Sequence, residues 1–265
     1  MDISKTVIVT ALFDIGRDNW KDFTMSYDTY IHWSRNLLSI DSPLVIFTEE
    51  KFFKKLFDIR KEYDPNMDQT KIIVKDKKDL ELYKSHYDRV KNLMESKDFA
   101  KVVQFDHVPE MNQPWYNIIM YSKLSLMLET YVNQYFEHDI IIWKDAAVYR
   151  ENPEKYKNVK WPDPEKINKT RPTFYSHHDK VSIHDNNSHL LSQMRFIQGG
   201  CYIVPGHLIN PLTKAYIETI DEFLAKGVLG SDEKFIDILV KRDPDKFNLI
   251  KCGWREYFNF FGYDS

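Results

Sequence analysis

The fold is decided by the stretch Asp139-Ile140-Ile141-Ile142-Trp143-Lys144-Asp145-Ala146-Ala147, in which an apolar run ends at a carboxylate followed by two small residues. A short, unbroken run of β-branched and aromatic residues predicts a fully buried sheet strand over residues 140–143. Asp145 then lies just past its carboxyl end. In open α/β sheets ligands bind outside the carboxyl ends of the strands, and a carboxylate there can hold a divalent metal against a phosphate. The alternative is structural, because Asp is also a good helix N-cap.

The rest of the chain predicts an α/β fold around this strand. Earlier strands are expected at residues 7–13, 44–48 and 71–74, separated by helical apolar spacing at 22–38 and 49–60. Alternating strands and helices make a parallel sheet with helices on both faces. A charge-rich helical segment is expected at 76–105, an irregular loop at 152–171, strands at 174–176 and 196–204, and helices at 211–225 and 232–241.

Composition limits the class of protein. A chain of 265 residues can bury a large core, and its net charge of -3 gives no global field that would attract nucleic acid. The two cysteines, Cys201 and Cys252, lie far apart and are expected to be reduced and buried. No apolar segment approaches the roughly 20 residues that a membrane-spanning helix needs. We therefore expect a cytoplasmic protein without a transmembrane segment and without a nucleic-acid partner.

Five groups of residues resemble the HtrL/YibB family: Ile8-Val9-Thr10-Ala11-Leu12-Phe13-Asp14-Ile15-Gly16-Arg17, Tyr121-Ser122-Lys123-Leu124, the pair Trp143 and Asp145, Gln198-Gly199-Gly200, and Gly230-Ser231-Asp232-Glu233. The resemblance implies a glycosyltransferase of GT-A type, with a Rossmann-type, mostly parallel central sheet flanked by helices. It implies one domain over residues 1–265, with a nucleotide-sugar-binding half at 1–150 and an acceptor-binding half at 151–265.

The same resemblance implies a metal ion at Asp145. GT-A enzymes commonly use Asp-x-Asp to hold Mn²⁺ or Mg²⁺ against the donor diphosphate, whereas this chain has Trp143-Lys144-Asp145 and keeps only the last carboxylate. The remaining coordination positions would fall to water or to a distant side chain. Lys144, on the opposite face of the strand, is expected to make a structural or solvent contact, with phosphate binding as the alternative.

Candidate nucleotide contacts stand at the end of the first strand, where similar enzymes hold the base and the ribose: Thr10, Ala11, Phe13, Asp14 and Arg17. The Asp14 carboxylate can accept from a ribose hydroxyl, and Arg17 can pair with phosphate. The alternative is a turn with an Asx bond at Asp14 and a positive φ at Gly16.

Further basic candidates follow from the resemblance. Lys123 stands on the helix before the 140–143 strand, where similar enzymes place a basic residue that reaches the donor. An exposed helix lysine is the alternative. Lys251 and Arg255 are implied as diphosphate contacts from the carboxyl-terminal segment.

The resemblance also implies Asp232 and Glu233 as the candidate catalytic carboxylates, because GT-A enzymes often have a carboxylate in the corresponding place that acts as a base for the acceptor hydroxyl or contacts the sugar. A general base must lie within hydrogen-bond reach of the nucleophile. The alternative is that Ser231 caps a helix with an acidic first turn.

Two further patterns accompany these candidates. Gly199 and Gly200 interrupt a β-rich run and predict a bulge or a close approach of the backbone to a ligand. Four histidines, at 177, 178, 184 and 189, lack the spacing of a zinc motif. They fall in a polar segment that we expect to be a flexible lid over the donor, with a solvated surface as the alternative.

The sequence hypothesis is a metal-dependent glycosyltransferase that moves a sugar from a nucleotide donor, expected to be UDP-linked, to a hydroxyl of a glycan, a lipid-linked sugar or a protein. One alternative is a nucleotide- or sugar-binding protein that has lost catalysis, because the first Asp of the metal motif is missing. The other is a metal-dependent phosphoryl-transfer or hydrolase enzyme, because an Asp after a buried strand serves that chemistry too.

Overall fold

The structure, a computed structural model, describes residues 5–103, 105–150, 155–253 and 256. Its strands are β1 (Thr6–Leu12), β2 (Leu44–Thr48), β3 (Thr70–Val74), β4 (Ile140–Lys144), β5 (Thr173–Ser176), β6 (Ile197–Pro205) and β7 (Asn248–Lys251). Its α-helices are α1 (Tyr27–Leu38), α2 (Glu50–Lys61), α3 (Glu81–Met94), α4 (Lys97–Val102), α5 (Pro109–Asn112), α6 (Pro114–Tyr121), α7 (Lys123–Asn133), α8 (Asn186–Leu191), α9 (Gly206–Ala225) and α10 (Asp232–Arg242).

Within these residues the strands form one sheet in the order β3-β2-β1-β4-β6-β5-β7. β1 pairs in parallel with β2 and β4, as do β2 with β3 and β5 with β7. β6 runs antiparallel to both of its neighbours. The predicted mixed α/β fold with a mostly parallel central sheet is therefore confirmed.

The strand order places a crevice beside β1. The chain lays β2 and β3 on one side of β1 and then crosses to place β4 on the other side. At such a switch point the connections after two adjacent parallel strands diverge, which leaves an opening at their carboxyl ends. Phe13 and Asp145 directly follow β1 and β4, so both residues stand at this opening.

Helices cover both faces of the sheet, because alternate strand residues point to opposite sides. Val7 and Val9 of β1 belong to the apolar core that also takes residues of α6, α7, α9 and α10. Ile8 belongs to the opposite core, against α1 and α2. No helix of the described chain combines the length and the apolar character that crossing a bilayer requires.

Two helices begin elsewhere than predicted. α1 begins at Tyr27 rather than at residue 22, because the Ser26 hydroxyl accepts a capping bond from the Thr29 amide at 3.1 Å. Phe23 precedes this cap with a left-handed φ of 58°. α9 begins at Gly206 rather than at the predicted Pro211, which lies inside the helix.

Candidate functional site

A cavity of about 250 Å³ opens at the switch point between β1 and β4. Its walls come from the end of β1, from α1, α6 and α7, from the turn after β4 and from the start of α10. Its polar and aromatic lining residues are Phe13, Arg17, Tyr27, Tyr30, Tyr116, Lys123, Trp143, Asp145, Arg150, Arg195, Asp232 and Glu233. A concave site with aromatic walls and a few converging polar groups is typical of small-molecule binding.

Lys123 lies in the cavity wall and is only 2% exposed. Its ammonium lies 2.8 Å from Asp232 Oδ2 and 3.2 Å from Asp145 Oδ1, and it donates to the Gly199 carbonyl at 2.9 Å. Burial alone would lower the pKa of Lys123, but the charges of Asp145 and Asp232 outweigh burial and hold that pKa above its ordinary value. The exposed-lysine alternative is therefore wrong, and Lys123 is a permanent cation that joins α7, the end of β4 and α10.

Asp145 is oriented by its neighbours on the sheet. The Trp143 indole donates to Asp145 Oδ1 at 2.7 Å, and the Asp145 amide donates to the Gly200 carbonyl at 3.1 Å. A turn rather than a helix follows Asp145, so the N-cap alternative is wrong. The Asp145 side chain remains 36% exposed. One carboxylate oxygen is thus fixed by the protein while the side chain stays accessible from the cavity.

Asp232 begins α10 at the cavity and is buried. Its Oδ2 accepts from the Tyr202 hydroxyl at 2.8 Å and faces Lys123. Ser231 occupies the N-cap position, but its hydroxyl makes no capping bond. The alternative interpretation is therefore right about the N-cap position and the acidic first turn, but wrong about a side-chain cap. The contacts of Asp232 with Lys123 and Tyr202 hold the start of α10 instead.

Glu233 is fixed from two sides. Its Oε1 accepts from the Gly199 amide at 2.7 Å, and its Oε2 lies 3.2 Å from Arg195 Nε. Arg195 also donates to Glu110 Oε1 at 2.5 Å. Burial, followed by the charge of Asp232, raises the pKa of Glu233 to about 7. Glu233 therefore changes its charge near neutral pH.

The raised pKa of Glu233 predicts a pH-dependent stability. Between about pH 4.5 and about pH 7 the unfolded chain releases the Glu233 proton before the folded chain does, so the free energy of unfolding falls as the pH rises and levels off above about 7. Glu233→Gln removes this contribution. We expect urea unfolding to give a difference in stability between wild type and Glu233→Gln that varies across this pH window. A difference independent of pH would show that the carboxyl is not perturbed.

Gly199 permits the close approach of α10. A Cβ at this position would lie 2.7 Å from Glu233 Cγ and 3.2 Å from Asp232 Oδ2. The β5–β6 register also shifts across this part of β6, so the predicted bulge is confirmed. The close approach at Gly199 is made by the Glu233 side chain.

We expect Gly199→Ala to lower the free energy of unfolding by about 1–3 kcal/mol, because the Glu233 carboxylate is held by two partners and cannot move aside freely. Urea denaturation measures the loss. The double variant Gly199→Ala/Glu233→Ala, in which the contact is absent, is expected to lose less than the sum of the single variants. Strict additivity would contradict the proposed steric contact.

Two arginines of the cavity lie on aromatic rings. The Arg17 guanidinium lies 5.4 Å from the ring centroids of Trp20 and Tyr30, and that of Arg150 lies 4.7 Å from the centroid of Trp33. Neither forms an ion pair with a carboxylate of the described residues. Burial raises the pKa of Tyr30, and the charges of Arg17 and Arg150 oppose that rise. Both guanidinium groups therefore stand beside the cavity without an ion-pair partner among the described residues.

The residues predicted at the end of β1 divide into two sets. Ala11, Phe13 and Arg17 line the cavity, whereas Thr10 and Asp14 do not. Thr10 is buried within β1. The Asp14 side chain accepts from the Gly16 amide at 2.7 Å, with φ of 77° at Gly16, as the Asx-turn alternative describes.

Of the two carboxyl-terminal candidates, only Lys251 is among the described residues. Lys251 is exposed, pairs with Asp179 at 3.0 Å and does not line the cavity. Arg255 lies outside the described residues. The phosphate-binding role of both remains a prediction.

Sequence reasoning missed Arg150, Arg195 and Tyr116. Arg150 was detectable, because it follows the turn after β4 and so stands close to Asp145 in the chain. Arg195 gives no local signal, since its partner Glu110 is 85 residues away. Tyr116 looks like an ordinary helix residue in the sequence. Only the packing of α6 at the cavity identifies it.

Two other predictions are corrected. His189 lies in α8, is buried and forms a 2.9 Å contact with Asp237 Oδ2, so for this residue the flexible-lid prediction is wrong. Lys144 is fully buried beside the Trp161 ring, which agrees with the structural contact that was one of its two expected roles and excludes the solvent contact. Burial lowers the pKa of Lys144 to about 8. The cysteines are free and buried, as predicted.

The carboxylates of the cavity do not fit the metal site that the resemblance implies. Asp145 Oδ1 faces the Trp143 indole and the Lys123 ammonium, and Asp232 Oδ2 faces that same ammonium and Tyr202. In the part of the chain that the structure describes, no three His, Cys, Asp or Glu side chains form a group that could hold a metal ion. The carboxylate pair already has a cation in Lys123.

The chain matches the model of a family described as "Bacterial protein of unknown function (HtrL_YibB)" over residues 4–263. A curated relative, Protein HtrL of Escherichia coli (strain K12), is 21% identical over 272 residues, in an alignment that covers 97% of this chain and 92% of HtrL.

Three solved structures give partial superpositions. The galactosyltransferase LgtC with donor and acceptor sugar analogues has a TM-score of 0.47 at 10% identity, covering 92% of this chain and 72% of LgtC. Mouse xyloside xylosyltransferase 1 has a TM-score of 0.44 at 13% identity, and the match covers 98% of this chain and 95% of the transferase. The 4-diphosphocytidyl-2C-methyl-D-erythritol synthase of Anaerococcus prevotii DSM 20548 has a TM-score of 0.46 at 12% identity, and the match covers 98% of this chain and 95% of the synthase. At these scores their substrates support no conclusion about this chain.

Proposed function

The chain belongs to the HtrL/YibB family of bacterial proteins of unknown function, and we propose that it is a glycosyltransferase that moves a sugar from a nucleoside diphosphate to a hydroxyl acceptor. The observation that carries the proposal is the cavity at the β1–β4 switch point. There an oriented carboxylate, Asp145, lies together with two arginines that have no carboxylate partner among the described residues. Carboxylates suit sugar hydroxyl groups, and arginines suit phosphate.

We assign the parts of the donor to the walls of this cavity. The aromatic side chains Tyr27 and Tyr30 of α1 offer surfaces for the base, and Arg17 and Arg150 offer cations for the diphosphate. The accessible side of Asp145 can accept from hydroxyl groups of the sugar. UDP is the nucleotide that we propose to test first. A glycan, a lipid-linked sugar or a protein would supply the acceptor hydroxyl.

The proposed reaction forms a bond from the acceptor oxygen to the anomeric carbon. The bond from that carbon to the diphosphate oxygen breaks, and its electron pair leaves with the nucleoside diphosphate. Arginines beside the diphosphate stabilise the charge that develops there. We propose Glu233 as the acceptor of the hydroxyl proton, because it lines the cavity and its pKa of about 7 suits a base near neutral pH. Asp232 Oδ2 already faces Lys123 and Tyr202, and we assign Asp232 to positioning Lys123.

A thermal-shift panel of UDP, GDP and CMP tests whether the cavity binds a nucleotide. A ligand at about 100 times its Kd stabilises the fold by about 2.7 kcal/mol, which corresponds to a rise in Tm of about 5 °C or more. UDP and a UDP-sugar are expected to give this rise. Asp145→Asn should weaken the effect of the UDP-sugar more than that of UDP, and the exposed control Asp58→Asn should change neither. If no nucleotide or nucleotide sugar shifts the Tm, either in EDTA or in excess Mn²⁺, the proposed function is wrong.

A further inference from the structure

The positive charges of the cavity are of two kinds. Lys123 and Arg195 are compensated: Lys123 lies between Asp145 and Asp232, and Arg195 pairs with Glu110 and Glu233. The charges of Lys123 and Arg195 are taken up by ion pairs within the protein. These two side chains therefore offer little free charge for binding a ligand.

Arg17 and Arg150 are of the other kind. Aromatic rings support their guanidinium groups, and the Nε atom of each donates to a backbone carbonyl, of Phe23 at 3.1 Å and of Ala147 at 3.5 Å. Neither residue pairs with an acid in the described chain. A guanidinium that lies beside a ring and uses only its Nε donor in a backbone hydrogen bond keeps its two terminal nitrogens for an anion, and Arg can bind phosphate oxygens in a bidentate way. The pair therefore provides the anion-binding part of the cavity.

The arrangement of the charges, rather than their sum, favours an anionic ligand without added cations. The cavity is lined by four cations (Arg17, Lys123, Arg150, Arg195) and three carboxylates (Asp145, Asp232, Glu233), and a fourth carboxylate, Glu110, pairs with Arg195 from outside the lining. Arg17 and Arg150 are the two cations without a carboxylate within 4 Å among the described residues. In a partly dehydrated site such charges attract phosphate more strongly than they would in water.

Lys123 occupies the position where a metal would bridge the carboxylates. Its ammonium is within 3.2 Å of both Asp145 and Asp232, and a divalent ion bound between these two side chains would have to displace it. Moving a buried ammonium away from both of its carboxylates is costly. The site thus has a resident cation supplied by the chain itself.

We propose that Arg17 and Arg150 bind the donor diphosphate, with Lys123 as the fixed cation between Asp145 and Asp232, so that this donor site needs no divalent metal. The inference rests on the proposed function, because it concerns how a nucleoside diphosphate is held. It departs from the Mn²⁺ or Mg²⁺ that the resemblance implies for GT-A enzymes.

Isothermal titration calorimetry tests the proposal with UDP, GDP, CDP and ADP, each in EDTA and each in excess Mn²⁺. For the tightest ligand we expect Kd values that agree within about threefold between the two conditions, a difference below about 0.7 kcal/mol. Arg17→Gln and Arg150→Gln are each expected to raise Kd about 10- to 100-fold, because each variant loses charge-assisted hydrogen bonds to the diphosphate. The exposed Arg171→Gln is the matched control and should bind as wild type does.

Comparison with the free nucleoside separates a diphosphate contact from general damage. Both arginine variants should bind the nucleoside as wild type does, and their Tm should stay near that of the Arg171→Gln control. Binding that requires Mn²⁺ would overturn this inference and leave the proposed function intact. Wild-type affinity in both variants would overturn the diphosphate contact. If no nucleoside diphosphate binds in either condition, the proposed function fails, and this inference with it.

Discussion

Lys123→Met is expected to lower the free energy of unfolding by about 3–5 kcal/mol. Asp232 is buried and Asp145 is half-buried, and both face the Lys123 ammonium at 2.8 and 3.2 Å. Methionine fills a similar volume but leaves two carboxylates close together without a cation. The cost is therefore that of uncompensated charge in a poorly solvated site, which exceeds the loss of any single hydrogen bond. Urea unfolding at neutral pH measures it.

A matched control distinguishes this effect from the loss of a lysine in general. Lys54→Met removes an exposed lysine that pairs with Asp58 on the surface of α2, where such pairs contribute about 0–1 kcal/mol. The double variant Lys123→Met/Asp232→Asn should be more stable than Lys123→Met alone, because only the Asp145 carboxylate is then left without a cation. A loss in Lys123→Met no larger than in the control would contradict the buried ion cluster.

Asp237→Ala is expected to lower the free energy of unfolding by about 3–5 kcal/mol. Asp237 of α10 is fully buried and accepts from the backbone amides of Phe196 at 3.2 Å and Ile197 at 2.8 Å. It also faces His189 Nε2 at 2.9 Å. Alanine would leave these three groups without their partner, and each unsatisfied buried group costs about 1–3 kcal/mol. The start of β6 would lose its connection to α10.

Asp237→Asn gives the graded comparison. The asparagine side-chain oxygen can still accept a hydrogen bond from one backbone amide, so Asp237→Asn should lower the free energy of unfolding less than Asp237→Ala does. Asp58→Asn, on the exposed face of α2, should change stability by less than about 0.5 kcal/mol. If the free energy of unfolding of Asp237→Ala lies within about 1 kcal/mol of the wild-type value, the carboxylate does not hold the start of β6 as described.

Strands β2 and β4 were predictable because each is a nearly uninterrupted run of buried apolar residues. The run over 140–143 became β4, and that over 44–48 became β2 with the same bounds. The antiparallel direction of β6 was not predictable, since a strand buried on both faces reads alike in either direction. The start of α1 was placed too early because the apolar spacing continued through Phe23. The Ser26 cap decided the boundary.

The candidate site was predictable where a residue directly follows a strand. Asp145 and Arg17 could be placed near the carboxyl ends of the sheet strands from the chain order alone. Lys123 drew attention through a resemblance, but its burial between two carboxylates depends on Asp232, which is distant in sequence. Arg195 and Glu110 meet only through the packing of the segment before β6 against α5. No local pattern encodes such a pair.

The most direct test of the central claim is to identify the nucleotide released when the protein is incubated with UDP-sugars, with and without acceptor sugars. A glycosyltransferase breaks the bond at the anomeric carbon, so we predict slow release of UDP that acceptors accelerate and that Asp145→Asn and Glu233→Gln suppress. Release of UMP with a sugar phosphate would instead show cleavage within the diphosphate. That product, or phosphate release without regard to the nucleotide, would contradict the account.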